Sequence, residues 1–279
     1  MKLISSLLVL ILSQSAFANV HAKLGKYAWA YYGENFYKAL YSNTRFDRRQ
    51  IGVILNAKHT IQPNNYDAMN SHCGNGCYAH RSVGYENARK IMFGEIYVLK
   101  DRRGQHVVDV YCGKSFYFRD ARDITSMNSQ VNIEHTWPQS KFSHRHNKDL
   151  QKSDMHHLFP SDSHANSKRG NFNFGMIDQR LDELDVENCS ISQFGRSGRE
   201  PVFTPPVQHR GNVARALFYF STHYDLPIDA DEEKVLRVWH MADPVDAEEL
   251  RRHEIIAEYQ LVRNPFIDHP DLVPRISDF

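Results

Sequence analysis

What the sequence lacks narrows it before any motif is read. The longest apolar run, Leu3 to Leu12, is too short to cross about 30 Å of hydrocarbon. No later stretch could span a bilayer either, so no membrane anchor is expected and the mature chain should be soluble. No internal repeat or low-complexity tract stands out, and no linker is long enough to separate two domains. The pattern H-E-x-x-H and comparable His-pair spacings are missing despite sixteen histidines, which argues against a zinc-dependent hydrolase built on them. Net charge is also nearly absent, at +1, so the whole-chain balance carries no information about a partner.

What is present begins with an address. Lys2, the run Leu3 to Leu12 and the small-residue site Ala16-Phe17-Ala18 have the order of a secretory signal peptide over residues 1–18, with cleavage after Ala18. About 260 mature residues, 19–279, suit one large domain, and 41% hydrophobic residues are enough to bury a core and exclude disorder. Four cysteines, Cys73, Cys77, Cys112 and Cys189, would meet an oxidising compartment. Two disulfides are expected among three possible connectivities; the tight pair Cys73–Cys77 leaves Cys112–Cys189. A zinc site from Cys73, Cys77 and His72 or His80 competes, but two cysteines so spaced without a second pair are a weak zinc signal.

Charge becomes informative once divided. From Asp225 onward there are fourteen acids and six Lys/Arg, and residues 19–224 carry 27 basic against 19 acidic residues. A basic body of this kind suits a polyanion. Residues 26–57 read as helical from Tyr32, Phe36, Leu40, Ile51 and Leu55. Asn64 to Gly76 reads as loop. Glu95–Leu99 and His106–Tyr111 flank a turn at Asp101 to Gly104, a strand–turn–strand. Val213–Tyr224 and Pro244–Val262 are helical in period, with Pro244 at a first helical position. Strands in the middle and helices at both ends make an α+β domain.

The informative segment runs from Gln130 to Phe174. Val131 and Ile133 alternate ahead of Glu134-His135, a strand ended by Pro138. Asp154 to Pro160 reads as a second short strand. Ser161 or Asp162 then caps a helix start, Lys168 and Arg169 suit its last turn and Gly170 its end. Cleaving a phosphodiester requires a base for water and a cation for developing oxyanion charge. A neutral imidazole suits the first task near neutral pH, and a hard divalent cation on oxygen ligands suits the second. His135, Glu134 and Asn166 supply those groups. Neighbouring strand residues point to opposite faces, so Glu134 and His135 can share a site only where the strand ends or twists.

Asn132-Ile133-Glu134-His135-Thr136-Trp137-Pro138, Asp154-Met155-His156-His157-Leu158-Phe159-Pro160 and Asn166-Ser167-Lys168-Arg169-Gly170-Asn171-Phe172 together resemble the bacterial endonuclease I family of ββα-metal (His-Me finger) nucleases. Val53 to Thr60, Arg210 to Ala216 and Arg263-Asn264-Pro265-Phe266 extend the resemblance over nearly the whole mature chain. It implies an α+β fold with a central ββα-metal finger and a small mixed or antiparallel sheet, flanked by N- and C-terminal helices. It implies a monomeric, secreted or periplasmic nuclease that cuts DNA and RNA with little sequence preference, leaving 5′-phosphate and 3′-hydroxyl ends. His135 would be the general base, and Glu134 and Asn166 would hold Mg²⁺, for which Mn²⁺ could substitute. The family commonly has Asn where this chain has His157. The arginine that grips the scissile phosphate in relatives has no clean counterpart, Arg145 being a candidate. Lys141, Lys168, Arg169, Arg196 and Arg199 are further candidates for phosphate contact. A non-catalytic nucleic-acid-binding protein that keeps the finger as scaffold is the alternative.

Overall fold

The structure is a computed structural model describing residues 28–42, 45–62, 65–69, 77–120, 123, 127, 129–178, 181–182 and 184–279. The expected leader and Cys73 lie outside the described residues. Backbone contacts divide the chain into two compact units, one of Met1–Thr44 and Asn56–Ala79, the other of Arg45–Leu55 and His80–Phe279.

In the first unit, helices α1 (Ala28–Tyr31) and α2 (Gly33–Tyr41) are joined at Tyr32 and Gly33. Gly33 has φ +78°, which an L side chain adopts only with strain. A short sheet pairs β1 (His59–Thr60) antiparallel with both β2 (Ala68–Met69) and β3 (Cys77–Tyr78). Tyr31, Tyr32, Phe36 and Tyr37 are buried, and the Tyr31 and His59 rings stack at 4.4 Å.

The second unit begins with α3 (Arg48–Leu55), where the Arg49 N–H donates to Asp47 Oδ1 at 2.9 Å. The helical stretch expected over 26–57 is thus three helices. A Cβ on Gly52 would stand 2.6 Å from the Thr222 carbonyl oxygen, so α3 lies against a backbone that only glycine admits. Helix α4 (Tyr85–Ile91) runs into a π-helical turn, Met92–Ile96, before the antiparallel strands β4 (Leu99–Asp101), β5 (Gly104–Val108) and β6 (Ser115–Phe118). The expected strand over Glu95–Leu99 is therefore corrected: Met92, Phe93 and Ile96 are wholly buried, and their spacing buries one helical face rather than one strand face.

Strand β7 (Val131–His135) pairs antiparallel with β8 (Leu158–Asp162), Ile133 opposite Pro160 and His135 opposite Leu158. Between them lie a 3₁₀ turn (Gln139–Lys141), helix α5 (Lys148–Ser153) and a second 3₁₀ turn (Met155–His157); helix α6 (Ser163–Arg169) follows β8. Strands β9 (Asn173–Phe174), β10 (Leu181–Asp182), β11 (Gln193–Ser197) and β12 (Glu200–Thr204) form a mixed sheet in the order β10-β11-β12-β9. Helices α7 (Arg210–Tyr224), α8 (Ala230–Ala242), α9 (Ala247–Gln260) and α10 (Pro265–Asp268) close the chain. Pro244 precedes α9 rather than opening it: Asp246 is the N-cap, accepting from the Glu249 N–H at 2.7 Å. The fold is α+β, with small sheets among helices. Val107, Val131, Ile133, Met155 and Leu158 share a core with Ala88, Met92, Phe93 and Ile96, which fixes the finger against α4. Cys112 and Cys189 are bonded. Cys77 is also in a disulfide, so it does not serve as a zinc thiolate.

Candidate active site

The expected site residues meet because β7 ends where it must. Asn132 and Glu134 lie on one face of β7, two residues apart, and α6 packs there: the Asn166 amide nitrogen donates to Asn132 Oδ1 at 2.8 Å and to the Ile133 carbonyl at 3.3 Å. His135 is the last residue of the strand, and the chain turns off through Thr136 and Trp137 to Pro138. Glu134, His135 and Asn166 consequently line one cavity of about 760 Å³, with Tyr85, Arg89 and Gln139 among its other walls.

Helix α6 is positioned from both ends. Asp162 caps it, Oδ1 accepting from the N–H groups of His164 and Ala165 at 2.9 and 3.0 Å while Lys114 Nζ reaches Oδ2 at 2.9 Å. Burial works to raise the Asp162 pKa, but the bonds from Lys114, Ala165 and His164 hold it below its usual value. Gly170 ends the helix at φ +57°. Arg169 fastens the last turn to β7: its guanidinium donates to the carbonyls of His135 (3.1 Å) and Thr136 (2.6 Å). The same group lies 3.0 Å from Glu134 Oε1 and over the Phe174 ring.

Glu134 is 1% exposed. Tyr111 donates to its Oε1 at 2.7 Å, on the oxygen that Arg169 also contacts, while Oε2 accepts nothing from the described residues. Burial pushes its pKa up, against Arg169 and the Tyr111 bond, which pull it down. Asn166 has the complementary arrangement: its NH₂ is engaged by β7, and its Oδ1 accepts nothing from the described residues. One uncommitted carboxylate oxygen and one uncommitted amide oxygen on a shared cavity wall fit a hard divalent cation.

His135 Nε2 is 3.0 Å from the Lys152 carbonyl oxygen. A carbonyl only accepts, so Nε2 carries the proton and Nδ1 holds the lone pair; Gln139 Nε2 approaches that Nδ1 at 3.3 Å. Burial lowers the His135 pKa to about 4, with Lys152 and Arg169 pushing the same way against the Lys152 carbonyl bond. The ring packs near Tyr85 (5.5 Å), Phe142 (6.2 Å) and His157 (5.4 Å). His157, at the position that departs from the family pattern, is wholly buried, and its Nε2 lies 2.9 Å from the Gln151 carbonyl.

Most of the candidate phosphate contacts fall elsewhere. Arg145 is 85% exposed, 4.0 Å from Asp225, and does not line the cavity. Lys141 Nζ donates to Asn173 Oδ1 at 2.7 Å, and Lys168 lies 3.6 Å from Asp185. Arg196 donates to the Arg199 carbonyl at 2.7 Å, both residues being exposed at the β11–β12 hairpin. Arg169 lines the cavity, but at 2% exposure, with its guanidinium engaged by β7, it serves the site as an internal clamp. Conversely, Tyr85 and Arg89 of α4 line the cavity without having been expected there. Arg89 is 5% exposed and 3.6 Å from Glu86. No motif marks them; only the packing of α4 on the finger brings them in.

A strand–strand–helix unit offering a carboxylate, an imidazole and a helical amide to one cavity is the ββα-metal arrangement. Residues 71–271 match the Endonuclease I family, and the chain belongs to it. It is similar to an extracellular ribonuclease of Bacillus subtilis (strain 168), 34% identical over 163 residues, 52% of this chain and 53% of the relative. An extracellular deoxyribonuclease of Aeromonas hydrophila is 29% identical over 191 residues, 58% and 81% of the two chains. A periplasmic deoxyribonuclease of the same organism is 30% identical over 117 residues, 42% and 48%. The chain spans about half the length of the curated ribonucleases it matches. Among the described residues no helix is long and apolar enough to cross a membrane.

Proposed function

We propose that the protein is a secreted or periplasmic, Mg²⁺-dependent endonuclease that hydrolyses phosphodiester bonds in DNA and RNA with little sequence preference, acting as a monomer. The observation that carries this reading is the cavity where His135 presents an accepting Nδ1 beside the uncommitted oxygens of Glu134 and Asn166. Glu134 and Asn166 would hold Mg²⁺, which when bound neutralises the charge developing on the scissile phosphate and its leaving oxygen. His135 Nδ1 takes the proton of the attacking water, and the Lys152 carbonyl keeps the ring in the tautomer that can do so. Arg89, a cation in the same cavity wall, would face the phosphate, and Lys168, Arg196 and Arg199 would contact the backbone farther along the strand. Attack by water on phosphorus with the 3′-oxygen leaving gives 5′-phosphate and 3′-hydroxyl ends. The relatives named for extracellular or periplasmic ribonuclease and deoxyribonuclease activity support both the substrates and the export.

The test is cleavage of supercoiled plasmid and of single-stranded RNA by the purified mature protein, with Mg²⁺ and then with excess EDTA. Both substrates should be cut only with the metal. His135→Ala should lose about 10²- to 10⁴-fold in rate with nearly unchanged DNA affinity. Undiminished cutting in chelator overturns the metal assignment. DNA binding without scission in the wild type would favour a scaffold that binds nucleic acid and does no chemistry.

A further inference from the structure

We infer that His80, Asp154 and His223 form a second, buried divalent-cation site, of zinc-like rather than magnesium-like preference, separate from the cavity of Glu134 and Asn166. One ligating atom from each of the three lies within 4.8 Å of the others. His80 Nδ1 and His223 Nε2 face each other at 2.9 Å, and the rings stand at 66°. Asp154 and His223 are buried and His80 is half-buried. Two imidazole nitrogens with one carboxylate oxygen are a borderline donor set that suits Zn²⁺ with a fourth position for water. Mg²⁺ prefers an octahedron of oxygens.

The surroundings already hold these donors in place. Asp154 Oδ2 accepts from the hydroxyls of Tyr219 (2.9 Å) and Tyr224 (2.8 Å), and Oδ1 caps the N–H of His156 at 3.1 Å. Gln260 approaches His80 Nε2 at 3.5 Å while its amide is itself fixed by the Ser153 carbonyl and the Met155 N–H. That leaves the Nδ1 side of His80 turned to His223. The hydroxyl and N–H donors around Asp154 orient that carboxylate as outer contacts orient a metal ligand. Two facing neutral imidazoles share a single proton; a cation bound between them sends that proton to the far nitrogen of one ring, so one hydrogen bond is lost and two nitrogen ligands and a carboxylate are gained.

The other cluster of this composition, His253, Glu254 and Asp268, differs in a decisive way. Arg263 stands between its carboxylates, 2.5 Å from Glu254 and 2.7 Å from Asp268, so a cation is already built in. No lysine or arginine makes an ion pair with Asp154 among the described residues. His80 opens the segment that leads to α4, Asp154 precedes β8, and His223 lies in the last turn of α7. A cation there would tie three elements of the second unit together and stabilise the folded state as it binds.

Full-length mature protein, stripped with chelator and dialysed, is titrated with Co²⁺ as a spectroscopic probe and with Zn²⁺. The inference expects one equivalent of Co²⁺ with the intense visible absorption of a four-coordinate ion, displaced by Zn²⁺, and a rise in Tm on adding Zn²⁺. His80→Gln, at the half-buried position, should weaken binding by roughly tenfold or more; His223→Gln should do the same. Glu134→Gln/Asn166→Ala should keep both the absorption and the Tm shift, which separates this site from the cavity. Near-ultraviolet circular dichroism identifies any variant that has not folded, and His80→Gln alone then decides the matter. Absence of the Co²⁺ band in the wild type overturns the inference, as does a band that survives His80→Gln or vanishes in Glu134→Gln/Asn166→Ala.

Discussion

Lys152 decides what His135 can do, through its main chain and not its charge. The carbonyl fixes the proton on Nε2, and burial with two nearby cations brings the imidazole pKa to about 4. An unperturbed histidine would lose base function as pH falls through about 6.5. Here the lone pair on Nδ1 persists to well below that, and a cation bound beside Glu134 would push the value lower still. The rate at saturating Mg²⁺ should therefore stay flat between pH 8 and about 5.5. Initial rates in short assays on folded protein check this; an acid limb centred between 6 and 7 would contradict it. His135 was legible as the proposed base through the ordered set of motifs that the sequence shares with the family, from Asn132-Ile133-Glu134-His135 to Asn166-Ser167-Lys168-Arg169-Gly170. The motifs could not supply the pKa, which comes from Tyr85, Phe142 and His157 closing around the ring. Arg145 was the natural candidate for the phosphate because it lies between the motif strands. Arg89, more than forty residues before the finger, became visible only with the packing of α4.

Among elements, α6 shows how little length a functional helix needs. Seven residues form no stable helix in isolation, so this one depends on its ends: Asp162 at the start, Arg169 and Gly170 at the finish. Asp162→Ala removes the one oxygen that accepts from two N–H groups and the Lys114 contact, and should cost about 1 kcal/mol or somewhat more. It should also weaken Mg²⁺ dependence, because Asn166 sits one turn inside the cap. Asp162→Asn, which keeps the cap, should recover most of the stability in a urea titration. Equal midpoints for the wild type and the Ala variant would show that the cap does not hold the helix. The boundaries of β7 and α6 were legible because alternation, cap and terminal glycine coincide within a few residues. The π-turn at Met92–Ile96 was not, since a short apolar run suits a strand or a buried helical face equally. Packing of Met92, Phe93 and Ile96 beneath Val107 and Val131 decided for the helix.

For the whole molecule, buried histidine is the dominant titrating feature. Nine histidines, His80, His135, His146, His156, His157, His209, His223, His240 and His269, have pKa values lowered first of all by burial. The values reach about 4 at His135 and His240 and about 3 at His209. Unfolding lets each take up a proton near pH 6.5, so below that pH the unfolded chain binds more protons and stability falls as pH falls. Glu134, Asp154 and Glu232, raised by burial and the last to about 7, act in the opposite sense, but three groups oppose nine. The urea midpoint at pH 5 should lie clearly below that at pH 7, and an equal or higher midpoint at pH 5 would refute this balance. The Cys112–Cys189 bond has a consequence of another kind. It joins positions 77 residues apart, with both strands and the helix of the finger between them, so the finger is part of a covalent ring. A protease that cuts one exposed loop within that ring, at Arg145 for example, opens it without releasing a piece. The two new ends stay tethered beside the site they came from, and a nicked molecule is still one molecule until its disulfide is reduced.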